Sequence, residues 1–176
     1  MSRGKKIIIN ILILGITSFI LLGRLGLFFT PLSAHENSER SINYGPSKVI
    51  HIENFKGGKY ILGTYDKWIS CDTVNRVGLI FWVAGSQPVG FENDTSKAVS
   101  YTWYSSAKDF RVYGIVNDND VKKIEVTLSN GEVLTQTDFY EDLFLIRWKR
   151  KENLYFSAIR GYDEENRLIY EENTDS

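Results

Sequence analysis

"VKKIEVTLSNGEVLTQTD", residues 121–138, is the stretch that decides the fold. Ile124, Val126 and Leu128 alternate with Lys123, Glu125 and Thr127, so one face is apolar and the other polar. Period-two alternation marks a half-buried strand. Asn130-Gly131 follows, a dipeptide that accepts the two positive-φ positions of a type I′ turn. The spacing predicts a hairpin in which Leu128 lies opposite Val133 and Val126 opposite Thr135.

The same pattern extends in both directions. "YFSAIRGYDEENRLIYEE", residues 155–172, predicts a second hairpin turning over 163–166, with Asn166 in the left-handed conformation often filled by Gly. Further strands are expected over 49–55, 60–65, 68–73, 77–83, 98–104, 110–116 and 143–148. "VGLIFWV", residues 77–83, is apolar throughout and reads as a central strand covered on both faces. No stretch of ten or more residues after the N-terminal segment carries a helical period. Nine to eleven short strands separated by turn signals imply an all-β fold, an antiparallel β-sandwich (Ig-like) over residues 48–172.

A different composition precedes it. Residues 7–23 contain no charged side chain. A helix rises about 1.5 Å per residue, so crossing a hydrocarbon core of about 30 Å takes roughly 20 residues. Residues 7–29 supply the length if Arg24 reaches back to the headgroups. A signal peptide cleaved after Ala34 in "TPLSAHE" is the competing reading, but the apolar run exceeds the usual h-region. The organisation expected is a basic tail (1–6), a transmembrane signal-anchor helix (7–29), a flexible stalk (30–47), the β-domain (48–172) and a disordered tail (173–176). Arg3, Lys5 and Lys6 then stay cytoplasmic and the domain faces outward.

Charge supports this division. Four of the 21 basic residues precede the first acidic one, Glu36, leaving 17 against 22 in the remainder, a balance of −5. Nucleic-acid binding, driven by Lys and Arg on phosphates, is disfavoured. Cys71 is the only cysteine, so no intramolecular disulfide holds the fold.

Candidate sites are few. Cys71 and His51 are the one possible thiol–imidazole pair, and the order His51, Cys71, Arg76 resembles that of sortase transpeptidases. Those enzymes place the cysteine late, whereas here about a hundred residues follow it. Alternation also sets Cys71 on the Ile69 face and His51 on that of Glu53. Asn117 to Asp120 and Asp94 offer oxygens to a cation, yet the Gly and distant Glu of a calcium loop are missing. No metal or other cofactor is expected. Tyr101 and Trp103 share a strand face, as a sugar-stacking platform requires.

The strand-and-turn pattern of Tyr113-Gly114-Ile115, Ile124 to Val126, Leu143 to Trp148 and Gly161 to Asn166 resembles uncharacterised small, single-pass, membrane-anchored extracytoplasmic proteins of Bacillus and related Firmicutes. Asn166 replaces the Gly usual in that turn. The resemblance implies location and fold only. The function expected is a non-catalytic binding or interaction domain of the bacterial cell envelope, with the lipid bilayer as one partner and an envelope protein or glycan as another. The alternative is a cysteine-dependent surface enzyme using Cys71 and His51.

Overall fold

The computed structural model describes residues 3–86, 90–106, 109–151 and 154–174; both chain ends, including parts of the two expected tails, lie outside them. Among the described residues, two helices precede twelve strands. The chain divides into two units, 1–46 with 53–60 and 72–87, and 47–52 with 61–71 and 88–176.

Unit 1 opens with helix α1 (Arg3–Arg24), which has no buried residue and is long and apolar enough to cross a membrane. Thr17 satisfies its hydroxyl within the helix by donating to the Ile13 carbonyl at 2.8 Å. The helix ends five residues before the expected limit at 29. Gly26, at φ 71°, turns the chain. Gly26 N donates to Gly23 O at 3.1 Å and Leu27 N to Leu22 O at 2.9 Å. These are the two bonds of a Schellman motif, which glycine permits because it lacks a Cβ.

The expected stalk is also corrected. Helix α2 (Pro31–Ser41) occupies most of it. Thr30 caps it, its hydroxyl oxygen accepting from Ser33 N at 3.1 Å, and Pro31 sits at the first helical position, where no N–H is needed. Its buried side chains are Ala34, His35, Ser38 and Glu39, too polar to register as an apolar stripe. The small-residue site at Ala34 is thus part of a packed helix.

Strands β1 (Lys48–Phe55), β2 (Gly58–Tyr65), β3 (Trp68–Val77) and β4 (Phe81–Ala84) form a sheet in that order, with β5 (Phe91–Glu92) on β3. The central strand expected over 77–83 is instead a hairpin. Val77 pairs with Phe81, and Gly78, at φ 60°, opens a loop whose Leu79 and Ile80 are 83% and 58% exposed. An unbroken apolar run cannot by itself distinguish a covered strand from an apolar turn.

Unit 2 contains the sandwich. Strands β10 (Leu143–Lys149), β7 (Asp109–Val116) and β6 (Val99–Ser105) make one sheet. β12 (Leu168–Asn173), β11 (Phe156–Tyr162), β8 (Lys123–Leu128) and β9 (Val133–Gln136) make the other. Val99, Val112 and Phe144 from the first meet Ile124, Val126 and Ile159 from the second in one core.

The predicted β8–β9 hairpin is present with its register moved by one. Val126 pairs with Leu134 and Thr127 with Val133. Only Gly131, at φ 85°, has positive φ, and its N–H donates to Leu128 O at 2.8 Å. This is a three-residue loop with a left-handed glycine rather than a two-residue I′ turn. A one-residue shift exchanges faces: Leu134 packs against the core and Val133 is exposed. In the β11–β12 turn, Asn166 takes φ 61° as expected.

Candidate functional site

The aromatic pair singled out by alternation lies in unit 2. β6 directs Tyr101 and Trp103 to the same side, where the Phe156 ring on β11 meets both edge-on, at 6.3 and 6.2 Å. Their roles diverge there. Tyr101 packs against the core, while Trp103 is 53% exposed. Trp103 forms one wall of a groove of about 430 Å³, lined also by Phe110, Tyr155, Phe156, Glu172 and Thr174. Phe110 stacks flat on Trp148 at 5.5 Å, which fixes the floor. The Arg150 guanidinium lies 5.7 Å from the Phe110 ring centre.

Glu172 gives this groove a fixed charge. Its carboxylate accepts from the Tyr170 hydroxyl and from Lys97 Nζ at 3.3 Å. The Tyr170 hydrogen bond, followed by those from Lys97 and Tyr101, holds its pKa below the ordinary glutamate value. Burial, reinforced by Glu172, pushes the Tyr101 and Tyr170 hydroxyls well above the usual phenol value. The cluster therefore presents one ionised carboxylate with neutral phenols around it, beside exposed aromatic faces. Such a groove can stack a flat or ring-shaped ligand face and accept hydrogen bonds at its rim.

A second concentration of chemistry sits in unit 1. His35 and Glu39, one turn apart on α2, meet Asp72 of β3, all three buried. His35 Nδ1 is 3.1 Å from Asp72 Oδ2, and His35 Nε2 is 3.3 Å from Glu39 Oε1. Among the described residues this is the one His/Cys/Asp/Glu group compact enough to be considered for a metal. The imidazole lies between the carboxylates, so each ring nitrogen faces a different acid. The arrangement is a buried cluster of one imidazole and two carboxylates that joins α2 to β3, two elements far apart in sequence.

The remaining sequence candidates separate. Cys71 is fully buried, and its carbonyl accepts from Arg111 Nη2 at 3.0 Å. The His51 ring stacks on Tyr140 at 3.5 Å. Strand β2 lies between the strands that carry them, which separates β1 from β3 by about 10 Å. Arg76 turns its guanidinium to the Leu79 carbonyl in the β3–β4 loop. The three residues of the sortase-like order do not assemble. Asn117 spends its amide on Asn93 Oδ1, Asp94 O and Lys97 O, all at 3.0 Å. Asp94 and Asp118 accept from N–H groups two residues ahead, as turn residues do.

Sequence reasoning missed Tyr155, Phe110, Glu172 and the whole His35 cluster. Only the alternation of β12, which separates Glu172 from its neighbour Glu171, held a signal for one of them. Compared with known proteins, the chain matches no family model, no curated protein and no solved structure.

Proposed function

We propose that this protein is a membrane-anchored, outward-facing, non-catalytic binding domain of the bacterial cell envelope, with its ligand site in the Trp103–Tyr155 groove. The observation that carries the reading is an exposed indole set on a rigid aromatic floor beside a carboxylate fixed in its ionised form. Sugar rings fit that chemistry: their C–H faces stack on indole and their hydroxyls donate to carboxylate. The anchoring half of the proposal is supported by α1, apolar, unburied, and carrying Arg3, Lys5 and Lys6 at its N-terminal end.

Two measurements test it. Full-length protein in nanodiscs, titrated with soluble envelope glycan fragments, should show a Trp fluorescence change that Trp103→Ala abolishes without loss of stability. Binding of the fragments unaffected by Trp103→Ala would refute the site. Cysteine introduced at the exposed Asn130 should react with an impermeant maleimide on intact cells, against a background kept low by the buried Cys71. Labelling only after lysis would reverse the orientation.

A further inference from the structure

We infer that the β3–β4 hairpin loop is a second membrane contact, inserted into the outer leaflet of the bilayer that α1 crosses. The inference rests on the anchoring half of the proposal above.

It begins at the end of α1. The Schellman turn at Gly26 sends the chain back, and Phe28 and Phe29 share a cavity wall with Phe19, Leu22 and Gly23 of the last helical turns. The returning segment therefore runs beside the helix instead of leaving it. Phe19 precedes Arg24 by five residues, about 7 Å along the axis. Phe28 is bridged antiparallel to Trp82, with N–H to O distances of 2.9 and 2.7 Å, and the Phe29 ring meets the Phe81 ring at 5.3 Å. β4 thus starts level with a segment already folded against the apolar helix. The loop that precedes it, Gly78-Leu79-Ile80, extends past Phe81 on the side away from Trp82.

What that loop displays is unusual for a turn in water. Val77, Leu79 and Ile80 are exposed, and so is Phe29, whose ring meets that of Phe81 at the end of the loop. Turns facing solvent are made of Gly, Asn, Asp and Ser, and contiguous exposed apolar surface marks a contact with a partner or membrane. Phe29 links this loop to α1, packing on Phe81 and sharing a cavity wall with Phe19 and Leu22 of the helix, whose Ile, Leu and Phe side chains are exposed along its length. The rim has the chemistry of a headgroup layer. Arg76 N donates to Gly57 O at 2.8 Å, which places the exposed Lys56 beside it in the neighbouring turn. Lys59 Nζ lies 5.9 Å from the Trp82 ring centre. Basic side chains and an amphipathic indole above an apolar tip match lipid phosphates over acyl chains. Arg76 also donates to Leu79 O from the adjoining end of β3, satisfying a carbonyl that hydrocarbon would leave without water.

The experiment uses full-length protein in liposomes carrying nitroxide-labelled lipid, with an environment-sensitive fluorophore on a cysteine at Leu79. Leu12→Cys in α1 is the reference. The expected result is a blue-shifted label at position 79 that shallow nitroxides quench by at least about two-fold, with position 12 quenched by deep nitroxides. Quenching at 12 with a water-exposed, unquenched label at 79 overturns the inference and leaves the anchor standing. No quenching at 12 removes the anchor and the inference together. A blue-shifted label at 79 that no nitroxide quenches also overturns it, since the cover would then be protein.

Discussion

Two hairpins in this chain turn through three-residue loops, and they treat apolar side chains in opposite ways. β8–β9 hides Ile124, Val126 and Leu128 in the sandwich and shows water Ser129, Asn130 and Gly131. β3–β4 shows Val77, Leu79 and Ile80 at its loop. Backbone geometry is not the cause, because each loop contains a glycine at positive φ. The difference is in what the side chains meet: the facing sheet for one hairpin and, on the inference above, lipid for the other. Hydrophobicity alone therefore does not identify a core position.

Truncating the same side chain in each hairpin gives the largest contrast. Ile124→Ala should cost about 2–5 kcal/mol of unfolding free energy, as a fully buried isoleucine does. Ile80→Ala should cost less than about 0.5 kcal/mol, the usual surface value. Equal costs in denaturant melts of detergent-solubilised protein would erase the distinction between the two hairpins.

Cys71→Ala is expected to cost about 1–2 kcal/mol by analogy with small core truncations. The native thiol should resist alkylation until the protein unfolds, because it has no exposed surface. Rapid labelling at neutral pH would instead reopen the thiol chemistry. Gly131→Ala, which places a Cβ at φ 85°, should lose about 1 kcal/mol, and Gly131→Asn less. A loss several times larger would mean that the loop, and not the strands, sets the register of β9.

The smallest effect is the pH dependence around Glu172. Its pKa is lowered in the fold, so the stabilisation it contributes is complete above the ordinary glutamate value and is lost as pH falls through the folded pKa. Tyr101 and Tyr170 are shifted upward, so their contribution is complete below about pH 10 and is lost as pH rises beyond it. Stability should be level between these limits. Glu172→Gln should reduce the acid-side slope, leaving the part due to Asp94 and Asp163, which are also lowered; a slope unchanged in that variant would place its origin elsewhere.

Local pattern carried much of this fold and little of its site. Alternation located β8, β11 and β6 because each has one face on the sandwich core, and Asn166 was readable as a left-handed turn residue from its position alone. The register of β9 was not, since Asn-Gly serves two loop lengths. α2 escaped because its buried face is His35, Ser38 and Glu39, residues whose burial makes sense only with Asp72 of β3 beside them. The groove was half legible. Tyr101 and Trp103 were visible on one strand, but Tyr155, Phe110 and Glu172 reach it through sheet pairing and packing that join distant segments.

The buried cluster of His35, Glu39 and Asp72 between α2 and β3 also imposes an order in time. The ribosome delivers His35 and Glu39 well before Asp72. During that interval α2 is an eleven-residue segment with no surface to pack on, below the length at which an isolated helix is stable in water. Helix α1 is thus complete while its neighbour is still unfolded, and unit 1 cannot close until β3 and β4 have followed. A protease or chaperone acting on the nascent chain would meet residues 30–47 as an open polypeptide, in the one period when they are.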